Sequence, residues 1–161
     1  MSGKVDVELQ VNGRAYAIRV EPRRTLADAL RDDCNLPGTH VGCEHGVCGT
    51  CTVIVDGEPV RACLMFAVQA QGASVRTIEG LAPPGGLHPL QRAFIEHHGL
   101  QCGFCTPGFL MLAAATLERE PAIGDEALRD VLASNLCRCT GYQNILKAVR
   151  AAALELAAGK D

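Results

Sequence analysis

The stretch Val41-Gly42-Cys43-Glu44-His45-Gly46-Val47-Cys48-Gly49-Thr50-Cys51, completed by Cys63, decides how the first half of the chain reads. Four residues separate Cys43 from Cys48, two separate Cys48 from Cys51, and eleven separate Cys51 from Cys63. Thiolates are soft ligands, and a three-plus-one set at this spacing points to a metal site. Glycines at 42, 46 and 49 let the backbone take positive φ and turn its amides toward the sulfurs, where they can donate hydrogen bonds to a negatively charged centre. Larger residues would be held off by their Cβ atoms.

Upstream of this loop, Val5, Val7, Leu9 and Val11 alternate with polar residues, Asn12-Gly13 supplies a two-residue turn, and Tyr16, Ile18 and Val20 follow at the same period. The pattern predicts a β-hairpin. Thr25 is a candidate N-cap for a short helix with Leu26, Ala29 and Leu30 on its apolar face, stopping before Pro37-Gly38. Strand, strand, helix is how the ubiquitin-like β-grasp begins. Downstream, 51–55 alternates as a strand, Asp56-Gly57 marks a second hairpin turn, and 60–63 leads back so that Cys63 reaches the loop. A last strand is expected over 74–78, then a linker over 79–86 containing Pro83-Pro84-Gly85-Gly86.

The cysteine spacing matches the plant-type ferredoxin loop. Four cysteines also suit zinc, but zinc ribbons and fingers usually pair their ligands along the chain as two close couples. The three-plus-one order with clustered glycines favours 2Fe-2S. Cys34 stands apart from both cysteine sets and reads as a small, half-buried hydrophobe.

A second set is built differently. Gln101-Cys102-Gly103-Phe104-Cys105-Thr106-Pro107-Gly108 and Cys137-Arg138-Cys139-Thr140-Gly141-Tyr142 each hold a tight pair, with thirty-one residues between Cys105 and Cys137. Helical periodicity fills this half. Leu90, Ala93, Phe94 and His97 share one face of a first helix ended by Gly99, and His97 and His98 read as cap or interface residues. A second helix has Thr106 as cap, Pro107 at its first position, and Phe109, Leu112, Ala113, Thr116 and Leu117 on one face. A third, after Gly124-Asp125, turns Leu128, Val131, Leu132 and Leu136 inward and delivers Cys137 and Cys139 at its end. Thr140 and Gln143 form a capping box for a fourth, whose stripe is Ile145, Ala148, Val149, Ala152, Ala153 and Leu156. One cysteine pair precedes a helix start and the other follows a helix end. Two antiparallel helices bring those ends together, with the positive end of the second helix directed at the site.

Nine cysteines in 161 residues raise the question of disulfides. The first ten residues are polar and strand-like with no apolar signal region, so a cytoplasmic address is expected, where such spacings read as metal sites. Arg23-Arg24 runs into an amphipathic helix and not into an export segment, and no apolar run is long enough to enter and span a membrane. Basic and acidic side chains number eight and ten over 1–80 and seven and eight over 81–161, which leaves no basic field for nucleic acid. The cysteine sets divide the chain into two small domains, 1–80 and 81–161, whose limited cores metal clusters would reinforce.

Gly-Cys-Glu-His-Gly-Val-Cys-Gly-Thr-Cys (42–51), the 101–108 segment and Asn-Leu-Cys-Arg-Cys-Thr-Gly-Tyr (135–142) resemble the small iron–sulfur subunit of molybdenum hydroxylases. That is the superfamily of xanthine dehydrogenase, aldehyde oxidoreductase and carbon monoxide dehydrogenase. The likeness runs from Val5 to about Ala153. It implies an α+β architecture, in which an N-terminal β-grasp, plant-type ferredoxin-like domain is followed by an all-α four-helix domain, with one 2Fe-2S cluster in each. The implied ligands are Cys43, Cys48, Cys51 and Cys63 for one cluster and Cys102, Cys105, Cys137 and Cys139 for the other.

The resemblance also implies partners: a large subunit carrying a molybdenum-pterin cofactor, a medium FAD subunit, and a dimer of such heterotrimers. Electrons from substrate hydroxylation at molybdenum would pass through the second set of thiols, then the first, to FAD or another acceptor. Gln101 corresponds to a glutamine that hydrogen-bonds the pterin, and Cys139 to the ligand nearest it. The chain ends soon after the fourth helix, so no flavin or molybdenum domain is expected on it, and no catalytic acid, base or nucleophile is sought in it. Two readings compete: a free-standing two-cluster ferredoxin, which would dock through a charged face, and a structural zinc module.

Overall fold

A computed structural model describes residues 3–158. Strands β1 (Val5–Val11) and β2 (Arg14–Val20) pair antiparallel with Val11 opposite Arg14, which leaves Asn12 and Gly13 as the turn. Both have positive φ, 52° and 76°, as a primed hairpin turn demands. Thr25 caps helix α1 (Leu26–Asp28), its hydroxyl accepting the Asp28 N–H at 3.1 Å. The helix widens into a π-helical turn over Ala29–Asp33, and Leu26, Ala27, Ala29 and Leu30 are buried under the sheet.

Strands β3 (Thr52–Val55), β4 (Glu58–Arg61) and β5 (Ser74–Arg76) complete a five-stranded sheet in the order β2-β1-β5-β3-β4. Among the described residues only β5 and β1 pair in parallel. Val7, Leu9, Val11, Val53 and Val75 face α1 in one core. β5 is shorter than the expected 74–78, because Thr77 turns its N–H to Asn12 Oδ1 at 2.9 Å and receives the Asn12 amide on its hydroxyl. Nor does the linker begin as a free tether. Ile78–Gly80 forms a 3₁₀ turn, and Glu79 accepts the Gly38 N–H at 2.7 Å.

Helices α2 (Pro89–Glu96), α3 (Thr106–Arg119), α4 (Asp125–Ala133) and α5 (Gln143–Ala158) follow. Gly99 ends α2, its N–H bonded to the Phe94 carbonyl at 2.8 Å. α3 differs from its expected single apolar face: every residue from Gly108 to Leu117 is buried. One side lies on β3 and others meet α2 and α4, so it is the central helix, which is apolar all round for that reason. β3 shows the same effect. Val53 and Val55 enter the sheet core while Ile54 enters the helical one with Phe94 and Phe109, and burial on both faces selects an unbroken apolar run. Fully buried side chains of this size each contribute about 1.5–3 kcal/mol.

Three capping and packing expectations change. Cys105, not Thr106, occupies the N-cap position of α3. Thr140 makes no capping box with Gln143, because its hydroxyl is engaged by Cys137 Sγ and by the Tyr142 N–H. Leu136 is 49% exposed, since α4 ends at Ala133 and the chain turns toward the first cysteine loop. Arg76 pairs with Glu118 at 2.7 Å and Arg119 with Glu58 at 3.1 Å across the two halves. Being partly exposed, each contributes about 0–1 kcal/mol, and the apolar seam along Ile54 matters more.

Candidate metal centres

The first centre is an irregular loop over 40–51, closed by the 3₁₀ turn Ala62–Leu64. Cys51 lies just before β3 and Cys63 just after β4, so the hairpin, turned at Asp56 and Gly57, carries the fourth thiol back to the other three. Cys48 N–H donates to Cys43 Sγ at 3.4 Å. That bond, with help from the His45 and Val47 amides, pulls the Cys43 thiol down to about 6, so it is ready to ligate as a thiolate at neutral pH. Cys51 is different: burial pushes it up to about 12, and the Cys63 thiol bonded to it pushes the same way. A cation must displace that proton, which is the usual coupling of metal binding to thiol ionisation.

The three loop glycines serve different needs. Gly46 and Gly49 take the positive φ expected, +82° and +71°. Gly42 does not, and is needed for space instead, since a Cβ there would stand 3.3 Å from Cys48 Sγ. Glu44, which is not a glycine, also takes positive φ, 57°.

At the second centre, Cys102 and Cys105 lead into α3 and Cys137 and Cys139 follow α4. The Cys105 and Cys137 thiols bond to each other on the inner side, and burial pushes Cys105 up to about 12. Burial acts on Cys137 too, but the Thr140 hydroxyl at 3.1 Å and N–H at 3.5 Å outweigh it and lower that thiol. Cys139 Sγ lies 3.5 Å from Cys102 Sγ on the exposed edge, and that bond raises Cys139. Gln101 is exposed on the same edge. The fourteen-residue α3 directs its positive end at the set.

All eight thiols named from the sequence are therefore brought into two groups, and within each group they meet as couples: Cys43 with Cys48, Cys51 with Cys63, Cys105 with Cys137, Cys102 with Cys139. Among the described residues no three His, Cys, Asp or Glu side chains converge as one metal ion would need. A zinc site gathers four sulfurs about a single centre, whereas a 2Fe-2S cluster takes two on each iron. The donor set fits the cluster.

Several neighbours escaped the sequence reading. Tyr142 accepts the Cys137 N–H on its hydroxyl at 2.9 Å and sets its ring edge-on to Phe109. His40 stacks on Phe104 and bonds the Phe104 carbonyl at 2.8 Å, joining the two centres at the surface. Arg61 reaches from β4 to the Ser134 carbonyl at 2.9 Å. Tyr142 and Phe104 lie inside the quoted motifs, but nothing in a single chain of letters says which atom each will meet.

Comparison with known proteins agrees with this geometry. Residues 9–77 match the family model of a 2Fe-2S iron-sulfur cluster binding domain, and residues 77–150 that of a 2Fe-2S binding domain. Caffeine dehydrogenase subunit gamma of Pseudomonas sp. strain CBB1 is 56% identical over 147 residues, 89% of this chain and 88% of that protein. The nicotine 6-hydroxylase small subunit of Paenarthrobacter nicotinovorans is 53% identical over 148 residues, 92% of this chain and 89% of that one. Among solved structures, a chain of quinoline 2-oxidoreductase from Pseudomonas putida 86 superposes with a TM-score of 0.93 at 46% identity, covering 99% of this chain and 100% of that one. The chain belongs to the family of small iron–sulfur subunits of molybdenum hydroxylases, the electron-carrying subunits of multi-subunit oxidoreductases that contain a large molybdenum subunit. Its fold is α+β with a ferredoxin-like part, and among the described residues no helix is long and apolar enough to cross a membrane.

Proposed function

We propose that Cys43, Cys48, Cys51 and Cys63 hold one 2Fe-2S cluster in a β-grasp domain over 1–80, and that Cys102, Cys105, Cys137 and Cys139 hold a second in a four-helix domain over 81–161. The observation that carries this reading is the meeting of eight thiols two by two, with the Cys48 and Thr140 amides turned toward sulfur. Two separate hydrophobic cores, and family models that meet at residue 77, support the division into domains. When bound, each cluster supplies one-electron redox chemistry at a potential set by hydrogen bonds and burial around its sulfurs. The chain's own residues hold thiolate charge with those amides and shield Cys51 and Cys105 from water.

The partners in this reading are a large subunit with a molybdenum-pterin cofactor and a medium FAD subunit, assembled as a dimer of heterotrimers in the cytoplasm. Gln101, Cys102 and Cys139 form the exposed edge that faces the pterin, with the Gln101 amide free to hydrogen-bond it. The relatives are subunits of complexes, which disfavours a free-standing carrier. The test is purification of the complex from its own cells. Iron and acid-labile sulfide should match two clusters per chain, with two paramagnetic resonance signals; Cys51→Ser should remove one signal and Cys102→Ser the other. Colourless protein holding zinc, or one signal lost by both variants, would overturn the assignment. A substrate screen of the same complex begins with nitrogen heterocycles, the chemistry named in those relatives.

A further inference from the structure

We infer that Gly108 and Asn135, which belong to the two segments carrying the second thiol set, are positioning residues for the loop of the first. Gly108 lies within α3, three residues after Cys105. A Cβ there would stand 2.4 Å from the Gly49 carbonyl oxygen and 2.8 Å from that of Thr50. Alanine is the better helix former, so the glycine answers to the space left for the loop. Asn135 presses from the other motif. It is 1% exposed, and a Cβ on Gly49 would lie 1.9 Å from its Oδ1. Both polar atoms of its carboxamide lack a hydrogen-bond partner among the described residues. An unpaired buried amide is costly to hold, and the neighbour it is held against is the Gly49 backbone.

The surrounding bonds point the same way. Leu136 N–H donates to the Cys48 carbonyl at 2.9 Å, and Arg61 holds the Ser134 carbonyl at 2.9 Å. The Gly49-Thr50 backbone, which separates Cys48 from Cys51, is thus gripped by one residue near Cys105 and another near Cys137. The frame of the second centre sets the shape of the first.

This inference rests on the ligand assignment proposed above, and its test is done in the intact complex. Gly108→Ala should shift the resonance signal that Cys51→Ser removes and speed loss of that cluster to a chelator by on the order of tenfold, the consequence of overpacking a close contact. The other signal should stay in place, although Gly108 is much nearer in sequence to its thiols. Asn135→Ala removes the carboxamide without adding bulk and should act on the same signal in the same direction; it decides the matter if Gly108→Ala does not fold. Unchanged position and release of that signal in both variants, or a change confined to the other one, overturns the inference while leaving the ligand assignment intact. If Cys51→Ser removes neither signal, the assignment itself falls.

Discussion

Leu136 and Cys48 are joined backbone to backbone, the N–H of one donating to the carbonyl of the other at 2.9 Å. Leu136 precedes Cys137 directly, so this hydrogen bond ties a ligand segment of one thiol set to a ligand segment of the other. It also accounts for the exposure of the Leu136 side chain, which leaves the helical core as its backbone turns outward. Arg61 closes the same joint by bonding Thr52 beside it and Ser134 across it.

Arg61→Met keeps the apolar stem of the side chain but leaves the Ser134 carbonyl without its charged donor. The expected cost is about 1.5–3 kcal/mol, the range for a hydrogen bond to a charged group. Denaturant titration of the cluster-bound protein should show it. Arg61→Lys should recover only part, because an ammonium lacks the fork that reaches two acceptors; full recovery would assign the effect to charge alone.

Tyr142→Phe removes the acceptor of the Cys137 N–H while keeping the ring against Phe109. A loss of about 1 kcal/mol is expected. Chelator should then strip the cluster of the second set sooner than in the parent protein, with the first set following its normal course. Equal retention of both would show that the hydroxyl is dispensable.

Gly49→Ala meets two obstacles, a φ of +71° and the Oδ1 of fully buried Asn135 only 1.9 Å from the new Cβ. Gly57→Ala meets one, since its φ is +89° but its surroundings are open. The backbone penalty is about 1–2 kcal/mol at either position. Iron content should therefore fall in Gly49→Ala and hold in Gly57→Ala, a comparison that separates crowding of the loop from backbone strain.

Burial pushes the Cys34 thiol up to about 11, and the charge of Asp33 adds to the effect. The unfolded chain, with an ordinary value of 9.0, gives up this proton first as pH rises. Its contribution to stability is therefore complete below 9.0 and drains away as pH climbs toward about 11. In the folded protein at about pH 8, iodoacetamide should leave Cys34 unmodified, and Cys34→Ala should flatten the alkaline loss of stability. Rapid labelling of Cys34 under native conditions would contradict the burial argument.

Gln101→Ala should leave both resonance signals in place and slow reduction of the iron centres by substrate in the complex, by about tenfold if one hydrogen bond to the pterin is lost. Stopped-flow bleaching of the visible iron–sulfur absorption measures it. An unchanged rate would count against a contact between Gln101 and the pterin.

The hairpin turns, the Thr25 cap and the grouping of the cysteines were legible because each is a short-range matter. Asn12-Gly13 and Asp56-Gly57 supply positive φ where two-residue turns need it, and a hydroxyl three residues from an amide can close a cap without help from the rest of the chain. Thr106 and Thr140 misled because both sit beside thiols. Thr140 gives its hydroxyl to Cys137, so the helix that follows starts without it. Gly42 was placed among the positive-φ glycines on composition alone, when its role is to make room for Cys48.

By itself the sequence determined the soft-ligand character of the two thiol sets and the strand pairing of the hairpins through their turns, since ligand spacing and turn dipeptides are written within a few residues. Only the tertiary structure decided which thiols meet as couples, why β3 and α3 are buried on every side, and that Gly108 and Asn135 close on the backbone of Gly49. Those outcomes depend on which surfaces dock against one another, and docking is fixed by shape and burial summed over both halves of the chain, which no local pattern of residues carries.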